Sequence, residues 1–245
     1  MDQQTNNSLE GKKLIVLGGS SGIGLATAKA AAAAGAVVTI VSGNQQRIDD
    51  ALRQLPGNCT GIAADLGNEQ NIKALFAGMG SFDHLVYTAG ENIRISAIHE
   101  SDLDAAKNYF NIRYWGAVAV VKYGAPLMNA GGSITLTGGI AAVRPGAGWW
   151  LGASICAAME GFMRAMAVEL APLRVNLVSP GVVKTNLWNS MNDTEREQFY
   201  DAVGNMLPVQ RIGAPEDIAQ AYLYFMKQGF GTGHILVADG GAVLV

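Results

Sequence analysis

A short apolar run, Lys13–Leu17 (KLIVL), passes directly into Gly18-Gly19-Ser20-Ser21-Gly22-Ile23-Gly24, and an alanine-rich stretch begins at its end. Gly18, Gly22 and Gly24 let the backbone bend tightly and leave its N–H groups uncovered. Where such a turn joins a strand to a helix, those N–H groups and the positive end of the helix dipole together suit a pyrophosphate. The helix is read from Ile23 to Ala34, because alanine is the best helix former and Gly35 supplies the stop. A helix launched this way crosses back over a sheet, and the next strand lies parallel to the first.

The rest of the chain repeats the alternation. Strand-like runs fall at Lys13–Leu17, Val37–Val41, Thr60–Ala64, His84–Tyr87, Ser133–Thr137, Val175–Ser179 and His234–Val237. Helical patterns fall between them, notably Ile23–Ala34, Asn68–Ala77, Asp102–Met128, Trp149–Leu170 and Pro215–Gln228. This alternation implies βαβ units, and runs such as LIVL and HLVY suit a sheet covered on both faces. No linker, compositional break or internal repeat divides the 245 residues. The expected fold class is α/β: a single Rossmann-type doubly wound domain over residues 1–245, with a seven-stranded, mainly parallel sheet and helices on both faces. Its ligand site belongs at the carboxyl ends of the strands, where chain order reverses.

Composition narrows what such a domain can do. The chain is 49% hydrophobic and 15% charged, against about 25% charged in ordinary domains, which excludes a disordered chain. Its 17 Lys and Arg against 20 Asp and Glu give no basic excess, so no nucleic-acid partner is expected. The longest uncharged stretch, Tyr123 to Val143, is broken by Pro126, Asn129, Gly131 and Gly132, and no membrane span is expected. The opening MDQQTNNSLE lacks the apolar segment of a secretory signal. Cys59 and Cys156 lie far apart, which fits reduced thiols and a cytoplasmic location. His84, His99 and His234 show no ligand spacing, so no metal is expected.

The spacing Gly18-x-x-x-Gly22-x-Gly24 resembles that of the short-chain dehydrogenase/reductase family, with Leu17 where the family has Thr. The resemblance covers essentially the whole chain. Asp65-Leu66 after the third strand resembles the family's adenine contact. Thr88-Ala89-Gly90 resembles its Asn-Asn-Ala-Gly turn, with Tyr87 and Thr88 in the asparagine places. Glu169–Asn176 leads into Ser179-Pro180-Gly181, with Val183 and Thr185 beyond, where the family has residues near the nicotinamide. Arg211-Ile212-Gly213, Pro215–Ala219 and Asp239-Gly240-Gly241 are similar to its C-terminal signature. The cofactor-binding set implied is Gly18, Ser20, Ser21, Gly22, Ile23, Gly24, Ser42, Asp65, Leu66, Thr88, Ala89, Gly90, Pro180, Gly181, Val183 and Thr185. An acid closing the second strand would select NAD. Here Ser42 and Gly43 stand in that place and Arg47 opens the next helix, so NADP is expected, with NAD as the alternative.

The same resemblance implies catalytic places for Asn, Ser, Tyr and Lys. Aligning Ala157–Phe162 with the helix after Tyr-x-x-x-Lys puts Gly152 at the Tyr place and Cys156 at the Lys place. Gly139, 13 residues before Gly152, takes the Ser place, and Arg113 takes the Asn place set by Gly116 and Pro126. The usual Tyr–Lys chemistry is therefore expected to be absent. Arg113 is the first candidate for a replacement, because a guanidinium stays charged and can hold an oxyanion or a carboxylate. Arg144, in the loop between the Ser and Tyr places, is the second. Gly139, Trp149, Gly152, Cys156 and Trp188 form the expected substrate pocket. Residues 186–210, helical from about Asp193, resemble the family's mobile lid.

The expected function is NADP(H)-dependent hydride transfer to or from a small carbonyl, imine or activated alkene. Two alternatives stay open: a catalytically silent cofactor-binding sensor or assembly subunit, and a non-redox lyase or cyclase on the same scaffold. The family's assembly through its long helices implies a homo-oligomer, tetramer or dimer.

Overall fold

The computed structural model describes residues 8–245; residues 1–7, most of the polar opening stretch, lie outside the described residues. Seven strands, β1 (Lys13–Leu17), β2 (Val37–Ser42), β3 (Thr60–Ala63), β4 (Phe82–Tyr87), β5 (Met128–Thr137), β6 (Arg174–Pro180) and β7 (Ile235–Ala238), form one sheet. Its order is β3-β2-β1-β4-β5-β6-β7. Every strand pairing is parallel, so the expected "mainly parallel" sheet is wholly so among the described residues. Chain order reverses between β1 and β4, and this places the ligand crevice above their carboxyl ends.

Alternation along the strands divides the core. Ile15, Leu17, Leu85 and Tyr87 face one layer, with Ile134, Leu136, Val175 and Leu177 beside them. Leu14, Val16, Val38, Ile40 and Val86 face the other. The first layer is covered by α3 (Glu69–Ala77), α4 (Leu103–Phe110), α5 (Ala117–Gly124) and α6 (Trp150–Glu169). The second is covered by α1 (Gly22–Ala33), α2 (Gln45–Leu52) and, after α7 (Asp193–Met206), α8 (Pro215–Lys227). Helix α6 is apolar and long enough by composition to cross a membrane. In this fold it instead buries Leu151, Ile155, Met159 and Met163 against the sheet, one residue per turn.

One element departs from expectation in a way that bears on the site. The span Asp102–Met128 reads as a single helix, but α4 and α5 are separated by a π-helical turn, Asn111–Gly116. Its cause lies in the sheet below. The Tyr87 hydroxyl, 1% exposed, donates to the carbonyl of Ile112 inside that turn. Gly116 makes room for it, since a Cβ there would stand 2.6 Å from the Tyr87 oxygen. Such turns recur at functional sites because they re-aim side chains out of an α-helix.

Candidate functional site

The glycine turn has the shape its sequence promised. Gly18 and Gly22 adopt φ of +86° and +51°, which side chains disfavour. A Cβ on Gly18 would stand 2.6 Å from the backbone nitrogen of Ala89, and one on Gly24 would stand 2.5 Å from Thr88 Oγ1. The turn is thus pressed onto the end of β4, where the Thr88 hydroxyl donates to the carbonyl of Leu17 at 3.0 Å. Ser21 is the N-cap of α1 but makes no capping bond with its side chain, and the first turn of α1 holds no acid. The N–H groups opening α1, including that of Ile23, are therefore available to an anion. These residues fit a dinucleotide.

The rest of the cofactor set surrounds this turn. At the end of β2, Ser20 donates to Ser42 at 2.9 Å, and the strand closes on Ser42 and Gly43 rather than on an acid. Asp65 turns its carboxylate to the N–H of Gly67, and Leu66 is buried below. Pro180 ends β6, and Gly181 is packed so closely on Asp239 that a Cβ would clash at 2.8 Å. Val183 bridges to Gly213, and Thr185 caps the short helix Asn186–Trp188 while lying against Gly22.

The π-helical turn presents Arg113 to the end of β4. Its guanidinium covers Gly90, where a Cβ would stand 2.7 Å from Cζ. The same group donates to the carbonyl of Glu91 and lies 4.9 Å from the centre of the Tyr109 ring. Arg113 Nε and Glu91 Oε2 are 3.8 Å apart, and neither of these buried atoms has a hydrogen-bond partner among the described residues. Burial raises the Glu91 carboxyl above its ordinary range, against its own backbone N–H and the charges of Arg113 and Arg94.

Gly139 and Cys156 also meet: a Cβ on Gly139 would lie 3.1 Å from Cys156 Sγ. Burial pushes that thiol up to about 11, with Arg113 pulling weakly the other way. Gly152, by contrast, faces open space, with nothing within 4 Å of where its Cβ would be.

An aromatic series closes the neighbouring wall. Trp188, 3% exposed, lies 6.1 Å from Trp149 and 4.8 Å from Phe199, and its indole N–H donates to Val183 at 3.0 Å. Leu187 accepts from the N–H of Ile93, so the 186–210 segment is docked onto the loop after β4. Beside it opens a cavity of about 480 Å³ lined by Ile93, Arg94, Trp150, Leu151, Trp188 and Met191. A smaller pocket of about 170 Å³, lined by Glu91, Arg94, Ala105, Asn108 and Tyr109, shares Arg94 and Ala105 with it.

Arg144 does not join this group. It is exposed, lines neither cavity, and its side chain has no hydrogen bond or ion pair among the described residues. Trp149 lines neither cavity and packs beside Trp188, which lines the larger one. The group that sequence reasoning missed is Glu91. Its position directly after Gly90 was the available signal, because Arg113 lies 22 residues away in the chain. Among the described residues no cluster of side chains could hold a metal.

Comparison with known proteins agrees with this architecture. The family described as Enoyl-(Acyl carrier protein) reductase matches residues 18–243. The short-chain dehydrogenase/reductase ucsE of Acremonium sp is 32% identical, with all of both chains covered. Among solved structures, a small-chain dehydrogenase in complex with NADPH is 35% identical, with a TM-score of 0.85 over 96% of this chain and 100% of its own. The MalC Reductase/Diels-Alderase from Malbranchea aurantiaca is 32% identical, with a TM-score of 0.90 over 99% of this chain and 100% of its own. This chain belongs to the short-chain dehydrogenase/reductase family.

Proposed function

We propose that this chain is an NADP(H)-dependent oxidoreductase that moves hydride to or from a small carbonyl, imine or activated alkene, at a reaction centre built around Arg113. The observation that carries the reading is the uncapped N-terminus of α1 behind a turn with no room for a side chain at Gly18 or Gly24. Gly18–Gly24 would hold the pyrophosphate, Ser20 and Ser42 the adenosine 2′-phosphate, and Gly90, Pro180 and Gly181 the floor under the nicotinamide. Bound there, the dinucleotide supplies or accepts hydride. The residues of the chain orient the substrate and stabilise charge on its heteroatom, and Arg113 is suited to both.

The usual Tyr–Lys route has no support from these side chains, because Gly139 and Gly152 carry none and the Cys156 thiol is held neutral by burial. The homologue solved with NADPH supports the choice of cofactor. Helix α6 exposes Ala157, Gly161, Ala165 and Val168, small or apolar residues suited to close contact with a second copy in a dimer or tetramer.

The test is titration of intrinsic tryptophan fluorescence with NADPH and with NADH. NADPH is expected to bind more tightly, and a tenfold preference for NADH would overturn the cofactor assignment. A second reading, a cyclase that keeps the same pocket, is favoured by the empty Gly139 and Gly152 positions and by the similarity to MalC, named a Reductase/Diels-Alderase. Product formed at the same rate with NADP⁺ as with NADPH would favour that reading.

A further inference from the structure

We propose that Glu91 is the proton-exchanging acid of this site, and that its Oε2 and the Nε–H of Arg113 together receive the heteroatom of the reacting substrate. The inference rests on the oxidoreductase reading above and adds the acid that reading lacks.

The geometry begins with two unsatisfied atoms. Arg113 Nε and Glu91 Oε2 stand 3.8 Å apart, buried and without partners among the described residues. Leaving such groups unpaired is costly, so a native protein keeps them for a reason. At 3.8 Å the two are too far apart to bond each other. A single oxygen or nitrogen can nonetheless lie about 2.9 Å from both and bond each of them. A protonated Glu91 and Arg113 would both donate to that atom. The Glu91 side chain is 37% exposed and lines the smaller pocket, the side from which a ligand atom would reach its carboxyl.

The neighbouring groups cannot serve instead. Arg113, from the π-helical turn, never loses its proton in this pH range. Tyr109, from α4, lies under the guanidinium with its hydroxyl pushed up by burial. Tyr87, from β4, is buried and committed to Ile112. Cys156, from α6, is held up to about 11. Arg94, from the same loop as Glu91, adds positive charge only. Glu91 combines a carboxyl with opposing influences: burial favours its neutral form, and its own backbone N–H, Arg113 and Arg94 limit the rise. A carboxyl raised above its ordinary range is shifted in the direction a proton donor needs.

In the reductive direction, the electrophilic carbon of a C=O or C=N group takes hydride from reduced nicotinamide dinucleotide. The π electron pair moves onto the heteroatom, which takes the proton of the Glu91 carboxyl. The Glu91 O–H bond breaks as the new O–H or N–H bond forms, and the carboxylate regains a proton from water through the smaller pocket. One dinucleotide is oxidised for each substrate reduced.

The first test needs no substrate. Glutamate side chains are labelled with ¹³C in the full chain with NADP⁺ present, and their carboxyl resonances are followed against pH. One resonance, missing from Glu91→Gln, should titrate above the ordinary value of about 4.3, and should move higher still in Arg113→Ala. A Glu91 resonance titrating at or below the ordinary value would overturn the proposal.

The second test follows NADPH oxidation with 9,10-phenanthrenequinone, a flat aromatic diketone. Glu91→Gln should lose about 10²-fold or more in kcat with NADPH affinity unchanged, and Glu91→Asp should recover part of it with a shifted pH profile. Glu91→Gln that binds NADPH and keeps the wild-type rate and pH profile would overturn Glu91 alone. A wild-type chain that fails to bind NADPH would overturn the oxidoreductase reading and this inference with it.

Discussion

Replacing Tyr87 by Phe tests whether the π-helical turn is held from below. The substitution keeps the buried ring and removes only the hydroxyl that donates to Ile112. Removing one partner of a buried hydrogen bond costs about 1–3 kcal/mol. Because that carbonyl belongs to the turn Asn111–Gly116, the loss should be local. Amide hydrogen exchange read by mass spectrometry should show protection across 111–117 falling by about tenfold to a hundredfold, since about 1.4 kcal/mol corresponds to each factor of ten. Peptides from β1 and α1 should exchange as in the wild type, and NADPH affinity should hold, because the glycine turn is untouched. Turnover should fall, because Arg113 loses its fixed place over Gly90. Uniformly faster exchange along the whole chain, or an unchanged turn, would refute the argument that this hydroxyl sets the geometry of the turn.

Three further outcomes follow from the same contacts. Arg113→Ala should lower turnover by about 10²-fold or more while leaving NADPH affinity nearly unchanged; a loss of NADPH binding equal to the loss of turnover would move Arg113 from the substrate side to the cofactor side. Gly24→Ala should cost about 1–3 kcal/mol through overpacking and weaken NADPH binding, because its Cβ would press on Thr88 Oγ1 at 2.5 Å; calorimetry showing wild-type affinity would contradict the packed turn. His84 is buried against Ser133 with its pKa depressed from 6.5 to about 4, mainly by burial. The unfolded chain therefore binds a proton that the folded chain refuses, so stability should decline as pH falls from about 6.5 to about 4. The decline should approach about 3 kcal/mol, since each pKa unit corresponds to about 1.4 kcal/mol. Urea melts of His84→Gln should show a flatter pH slope, and equal slopes would exclude His84 as the cause.

The strands and the cofactor turn were legible because local pattern dictates them. KLIVL and HLVY are buried on two faces, and the glycine spacing has few other uses. Arg113 was found by counting from Gly116 and Pro126, and its neighbour Glu91 was not. Nothing local links a lone acid after Gly90 to a base 22 residues later; β4 and the π-helical turn bring them together. The turn itself was also hidden. NIRYWG carries no proline and no early glycine, and its distortion comes from a tyrosine on another element. Arg144 illustrates the converse: a place in the right loop does not fix where a long, exposed side chain goes.

The contacts of Gly139, Gly152 and Cys156 set an order in which this pocket can change. A Cβ at 152 meets nothing within 4 Å, so the first atom of a new side chain enters there without a clash. A Cβ at 139 meets Cys156 Sγ at 3.1 Å, so a side chain there requires the thiol to shift by a few tenths of an ångström. Installing new chemistry in this scaffold, by selection or by design, therefore has its easier step at 152 and a tighter one at 139, coupled to the thiol at 156.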